Sequence, residues 1–265
     1  MDARSPKIGI LDSGVGGLSV LKEIHDLLPH AELYYVGDSA WCPYGNKSPQ
    51  VILGRVTTIT DYLLNKGVDI IVIACNSATI HAVGALRASY PIPIVGMEPA
   101  VKPAAALTKS GVIGVLATEA SIAGEKFHHL VNQHANGVTV ITRPCPRFVE
   151  LVEKGILSGP EADAAVKAAI TPLTEAGADV FVLGCTHYPF LRSVVEEHVP
   201  PGSQVVDTGP AVAKRVVSLL PAASDSSKNP PEIHIETTGE IDQLNSLLPK
   251  LLPGIKALTS AAKLP

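Results

Sequence analysis

Short runs of Val, Ile and Leu alternate along this chain with longer stretches whose apolar positions recur at helical spacing. Runs of this kind, bounded by Gly, Pro and Asp, mark strands buried on both faces. They fall at 7–12, 32–36, 69–74, 92–96, 112–117, 137–142, 179–184, 203–207 and 232–237. The helical spacing predicts helices over 16–28, 49–66, 77–89, 121–134, 160–176, 189–198, 210–220 and 240–251. Regular alternation of the two predicts parallel sheets joined by crossover helices. Ser158-Gly159-Pro160-Glu161 reads as a helix start with Pro in the first turn. Lys66-Gly67 and Ala176-Gly177 read as matched helix stops just before strands. Pro221 to Pro231, rich in Ser, Pro and Ala, reads as an exposed connection.

The pattern repeats itself. Asp69-Ile70-Ile71-Val72-Ile73-Ala74-Cys75-Asn76-Ser77 is matched by Asp179-Val180-Phe181-Val182-Leu183-Gly184-Cys185-Thr186-His187. Lys7-Ile8-Gly9-Ile10-Leu11-Asp12-Ser13 is matched by Val112-Ile113-Gly114-Val115-Leu116-Ala117-Thr118. A third pair runs from Ile94 to Val101 and from Val205 to Val212. Ile8 to Ile113, Cys75 to Cys185 and Pro99 to Pro210 are offsets of 105, 110 and 111 residues, in the same order in both halves. The expected architecture is α/β: two similar parallel-sheet domains related by duplication, with the active site in the cleft between them. The domains are expected at 1–97 plus 208–265, discontinuous, and at 98–207. The last strand signal, 232–237, is assigned to the first sheet.

Composition agrees and narrows the classes of function. The 265 residues allow two modest domains, and 46% hydrophobic against 4% aromatic residues means an aliphatic core. A formal net charge of −4 gives nucleic-acid binding no global electrostatic support, so no nucleic-acid partner is expected. No run reaches the ~18 apolar residues of a membrane span, and the first residues lack a signal-peptide core. No membrane partner is expected, and the cytoplasm is the expected compartment. The four cysteines are too scattered for a secreted disulfide scaffold.

Cys75 and Cys185 are the leading candidates for chemistry. Each follows a strand run at the C-terminal end, where open α/β sheets place their ligand sites. A lone Cys after an apolar run is often just a small buried residue; two at matched strand ends point to a pair of thiols. A thiol can carry a proton to or from carbon, and a helix N-terminus or a nearby imidazole activates it. Asn76-Ser77 and Thr186-His187 follow at positions that could begin helices and hold a carboxylate. A metal site from Cys75, His81, Cys185 and His187 is conceivable, but the spacings are not those of ordinary zinc sites. Asp12 heads a glycine-rich turn, Asp12-Ser13-Gly14-Val15-Gly16-Gly17, which is neither the dinucleotide fingerprint nor a P-loop. Asp38-Ser39-Ala40-Trp41-Cys42-Pro43-Tyr44-Gly45 is a turn-rich loop that reads equally as site lining or as a packed surface turn. Cys42 has no counterpart in the second copy and reads as incidental, and Cys145, between two prolines, reads as structural.

At these residues the chain resembles a known family. The segments Asp12 to Leu21, Pro43-Tyr44-Gly45, Ala74 to Thr79 and Gly184-Cys185-Thr186-His187-Tyr188-Pro189 are similar to the signature blocks of the glutamate racemases, within the aspartate/glutamate racemase family. The resemblance runs from Ile8 to about Val212. It implies cofactor-independent interconversion of L- and D-glutamate, with the D-isomer entering peptidoglycan, by an enzyme that is usually a homodimer. It implies that Cys75 takes the α-proton from D-glutamate and Cys185 from L-glutamate. Asp12, His187 and Glu153 match the assisting groups, with Glu150 close to Glu153 in sequence. Substrate contacts are implied for Asp12, Ser13, Tyr44, Gly45, Asn76, Ser77, Thr118, Thr186 and His187. Ser77 stands where the family usually has Thr, and Ala117 and Ser121 replace its usual Gly and Thr. Two other readings stay open on sequence: an aspartate racemase with the same paired thiols, separable by relative rates, and a two-lobed binding protein for a small acid, separable by the absence of α-proton exchange.

Overall fold

The computed structural model describes residues 4–220 and 231–264. The connection read over Pro221 to Pro231 lies, except for its last residue, outside the described residues. The chain divides into two compact units, Met1–Met97 with Gly209–Pro265, and Glu98–Thr208. In chain order the first unit opens with β1 (Lys7–Asp12), α1 (Leu18–Leu27), β2 (Glu32–Gly37), α2 (Pro49–Asn65), β3 (Ile70–Ile73), α3 (Asn76–Ser89) and β4 (Ile94–Val95). The second unit holds α4 (Val101–Leu107), β5 (Val112–Ala117), α5 (Glu119–Ala123), α6 (Glu125–His134), β6 (Thr139–Pro144), α7 (Pro146–Glu153), α8 (Pro160–Glu175), β7 (Val180–Leu183), α9 (Arg192–His198) and β8 (Gln204–Asp207). The first unit then resumes with α10 (Gly209–Leu219), β9 (Ile233–Thr237), α11 (Ile241–Leu251) and β10 (Leu258–Ala261).

Both sheets are parallel throughout, as the alternating pattern predicts. The first has strand order β10-β9-β2-β1-β3-β4 and the second β6-β5-β7-β8. The run β2-β1-β3-β4 therefore has the same order as the whole second sheet. Register repeats too: Ile8 pairs with Ile70, and Ile113 with Val180. β9 adds to β2 on the far side of the first sheet. In both units β3 and β7 are wholly buried, which is why they read as unbroken apolar runs.

The duplication extends to packing. A Cβ on Gly9 of β1 would sit 3.3 Å from Leu63 Cβ of α2, and one on Gly114 of β5 would sit 3.3 Å from Leu173 Cβ of α8. The same strand position is thus left bare so that the same helix leucine can seat on the sheet. Leu63 joins Leu11, Ile59, Ile71 and Ile73 in the first core. Ile113, Val115, Val180 and Val182 of the second sheet pack with Val101, Ala104 and Phe127. α2 and α8 then stop at Gly67 and Gly177, both left-handed with φ of +75° and +87°.

The elements that differ from the sequence pattern have local causes. The stretch 121–134 is two helices, because Gly124 is extended (φ −70°, ψ 136°) and serves as the C-cap of one and the N-cap of the next. The stretch 189–198 opens as a 3-10 turn, Tyr188–Leu191, before α9. The strand expected over 92–96 is only Ile94–Val95, framed by Pro93 and Gly96. α4 and α7 were not indicated by the pattern: α4 carries Pro103 in its first turn and α7 opens on Pro146. β10 has no apolar alternation, being mostly exposed at the sheet edge.

Asp179 and Asp69 stand at equivalent strand entries. Asp69 Oδ2 accepts from the Lys7 amide at 2.9 Å. Asp179 accepts from Thr108 Oγ1 (2.5 Å) and from the amides of Lys109 (2.7 Å) and Ser110 (2.8 Å). Burial alone would raise its carboxyl pKa, but these donors outweigh it and hold the group down at about 2. A carboxyl depressed in the folded state stabilises fully above its unfolded pKa and loses that contribution as pH falls through the folded value. Asp179→Ala should therefore lower the melting temperature by a few degrees at neutral pH. In urea titrations the gap from wild type should close as pH falls from about 4 to about 2; a gap that does not change with pH would contradict this role for the carboxylate.

Candidate active site

In each sheet the second strand lies on one side of the first and the third on the other. This is the topological switch point, where the loops after the first and third strands diverge and leave a crevice. In the first unit those loops carry Asp12-Ser13 and Cys75; in the second they carry Thr118 and Cys185.

In the first unit Asp12 ends β1 and is completely buried. Its Oδ2 accepts from the Gly17 amide at 2.8 Å, with the Gly14 amide at 3.4 Å. A Cβ on Gly17 would sit 2.8 Å from Asp12 Cβ and 3.0 Å from Ala74 Cβ, so the turn is bare where α1 meets the strand ends. Cys75 is the N-cap of α3, with its Sγ accepting from the Ala78 amide at 3.4 Å and lying 3.9 Å from Ser13 Oγ. A sulfur in that place faces the positive end of a helix, a setting that favours a thiolate. Asn76 and Ser77 fill the first turn of α3, both buried. Asn76 Nδ2 is buried without an acceptor among the described residues.

Tyr44 and half-buried Gly45 lie in a 3-10 turn, Tyr44–Asn46. The Tyr44 ring packs in the same buried cluster as Cys75 and Ala78. Its hydroxyl donates to Asp38 Oδ2 at 2.6 Å, and burial first, then the Asp38 charge, push its pKa well up. Asp38 also takes a two-pronged contact from Arg55, at 2.9 and 2.7 Å, and a bond from Thr238 Oγ1 at 2.8 Å. The sequence pattern marks Asp38 only as the head of a turn-rich loop and gives no sign of Arg55 or Thr238. Only Asp38 carries a readable signal, an acid just past the C-terminal end of β2; Arg55 and Thr238 reach it from positions that no local motif connects.

In the second unit Cys185 follows β7 and is buried. No helix begins at Thr186. His187 precedes a 3-10 turn instead, and its Nδ1 lies 3.7 Å from Cys185 Sγ. His187 Nε2 meets Glu153 Oε1 at 2.7 Å. Glu153 closes α7, whereas Glu150 is exposed and bonds Arg147 at 2.5 Å. Of the two carboxylates, Glu153 is the one set against His187. Thr186 is buried beside the thiol. Thr118 is the N-cap of α5: its Oγ1 accepts from the Ser121 amide at 3.2 Å and donates to Ser121 Oγ at 2.9 Å. Cys145 is buried and engaged with the Arg143 carbonyl; burial pushes its thiol up to about 12, which fits a structural role.

Each unit thus brings one thiol to the C-terminal rim of its sheet, with proton-handling or hydrogen-bonding groups against it. The surroundings differ: a helix N-terminus and Ser13 for Cys75, an imidazole backed by a carboxylate for Cys185.

The chain matches the family described as Asp/Glu/Hydantoin racemase over residues 8–216. It is 50% identical over 216 residues to a glutamate racemase of Herpetosiphon aurantiacus, covering 82% of this chain and 85% of that one. It is 45% identical over 254 residues to the glutamate racemase of Ectopseudomonas mendocina, covering 95% and 97%. Among solved structures it superposes with TM-score 0.87 and 34% identity on Escherichia coli glutamate racemase in complex with L-glutamate and the activator UDP-MurNAc-ala, covering 97% of this chain and 98% of that one. With the family match spanning most of its length and glutamate racemases aligned along nearly all of it, the chain belongs to the Asp/Glu/Hydantoin racemase family, among its glutamate racemases, and is an isomerase.

Proposed function

We propose that this chain interconverts L- and D-glutamate without a cofactor, by a 1,1-proton transfer between two thiols, and so supplies D-glutamate for peptidoglycan. The observation that carries the reading is the repeated placement of Cys75 and Cys185 just beyond β3 and β7, at equivalent positions of two duplicated units. Racemisation needs a base on one face of Cα and an acid on the other, and one thiolate with one thiol meet that need. Cys185 takes the α-proton of L-glutamate while Cys75 returns one to the opposite face. The reverse reaction exchanges their roles.

The neighbours fit these parts. The Ala78 amide and the α3 N-terminus stabilise the Cys75 sulfur in the part of the cycle where it is the thiolate, and Ser13 and Asp12 stand at the same rim. His187, steadied by Glu153, passes protons to and from Cys185. The buried Asn76 amide, with donor capacity to spare, suits a substrate carboxylate. Gly45, Ser77, Thr118 and Thr186 complete the polar lining. The intermediate carbanion is met by hydrogen bonds in a site shielded from water. The enzyme works as a homodimer in the cytoplasm. No described helix is long and apolar enough to cross a membrane.

Incubating the pure protein with L-glutamate alone should yield D-glutamate until the two are equal. No accumulation of D-glutamate, or faster turnover of aspartate, would overturn the substrate assignment. Cys75→Ser and Cys185→Ser should each lower kcat/KM by more than about a hundredfold, the scale of a lost acid–base group. Serine is a good N-cap, so Cys75→Ser should keep α3 capped and the melting temperature near that of wild type. Full activity in either variant would refute the two-thiol mechanism.

A further prediction concerns His187. Enantiomers have equal free energies, so any variant must lose kcat/KM equally in both directions. The difference lies in which proton transfer limits the rate. His187→Asn should raise the primary isotope effect with Cα-deuterated L-glutamate towards its limit and depress that with Cα-deuterated D-glutamate. The opposite pattern would assign Cys185 to the D-isomer.

A further inference from the structure

We propose that Asp38 is a positioning residue that claims the Tyr44 hydroxyl, so that Tyr44 serves the site through the placement of its ring and turn rather than through its phenol. The proposal rests on the racemase reading only in putting substrate beside this turn. Asp38 is completely buried. Its two oxygens accept four donors: Tyr44 Oη at 2.6 Å and Arg55 Nε at 2.9 Å on Oδ2, Arg55 Nη2 at 2.7 Å and Thr238 Oγ1 at 2.8 Å on Oδ1. A carboxylate has about four lone-pair sites, so nothing remains for a ligand. The single Tyr44 hydroxyl proton is spent on the same group.

The contacts bind the 38–44 loop to distant parts of the unit. Thr238, just past β9, also accepts from the Ala40 amide at 3.1 Å. Arg55 of α2 lies over the Trp41 ring, 5.2 Å from its centroid, while its fork holds Asp38. The loop is therefore pinned near both ends and its middle by side chains that converge on one buried charge. The result is a fixed Tyr44 ring in the cluster that includes Cys75 and Ala78. A loose turn here would let both the substrate and the wall beside the thiol shift.

A double-mutant cycle tests the assignment. Tyr44→Phe should raise the KM for L-glutamate by about tenfold, the worth of one buried hydrogen bond to a charge, and Asp38→Asn, which also takes the charge from Arg55, by at least as much, with smaller changes in kcat. The double variant should be no worse than the worse single, because both remove the same bond. Thr238→Val, nearly isosteric, should raise KM by a few fold by loosening Asp38; if Asp38→Asn does not fold it takes that place in the cycle, and its effect should shrink in the Tyr44→Phe background, where Asp38 no longer holds a hydroxyl. The same cycle read by thermal unfolding should show the same coupling. This second reading holds even if wild type fails to racemise glutamate, so loss of the functional reading and loss of this assignment are distinguishable. KM effects that multiply in the double variant, with melting-temperature effects that add, would mean that the hydroxyl meets the substrate directly and would overturn the proposal.

Discussion

Two hydrogen bonds govern where the two matched thiols of this protein sit. Just past β3 the Ala74 amide donates to the Leu11 carbonyl at 2.7 Å, and just past β7 the Gly184 amide donates to the Leu116 carbonyl at 2.7 Å. Each carries the parallel pairing one residue beyond the strand and delivers the next residue, a cysteine, to the C-terminal rim. The bare glycines of β1 and β5 let Leu63 of α2 and Leu173 of α8 seat closely on the sheets. Asp12 lies one residue and Thr118 two residues past Leu11 and Leu116, the last paired residues of these ladders.

The two units share this placement and diverge in how they treat the sulfur. Cys75 is held by the first turn of α3. Cys185 has no helix to cap; the chain instead forms a 3-10 turn that brings an imidazole to it, with Glu153 of α7 behind. A helix N-terminus stabilises an anion without accepting or releasing a proton, whereas an imidazole can do both. Under a two-thiol mechanism the overall equilibrium is fixed at unity by the symmetry of the substrates. The chemical asymmetry of the two halves can then appear only in how the barriers are shared between the two proton transfers.

Much of this was legible in the chain because the features concerned are local. The buried strands read as apolar runs, Gly67 and Gly177 marked their helix ends, and the repeat announced equivalent cysteines. What was hidden depends on tertiary contact or on residues that suit several structures. α4 and α7 carry prolines in their first turns, which look like loop signals until the rest of the helix is packed. β10 is an exposed edge strand with no apolar alternation. The choice between Glu150 and Glu153 as the neighbour of His187 turns on which side of α7 faces the rim, since both lie within one turn. Arg55 and Thr238 come to Asp38 from 17 and 200 residues away, beyond the reach of any motif.

The central claim is that two separate thiols act on opposite faces of one carbon, and the most direct measurement follows solvent deuterium into glutamate. Racemisation of L-glutamate by the wild-type protein in D₂O, sampled at low conversion, should place deuterium at Cα of the D-product. The L-glutamate still unconverted should stay protiated, because the thiol that returns a proton on the product face never faces the substrate side. Equal early labelling of recovered L-glutamate and of D-glutamate would mean that one base serves both faces, and would contradict the assignment of Cys75 and Cys185 to opposite sides.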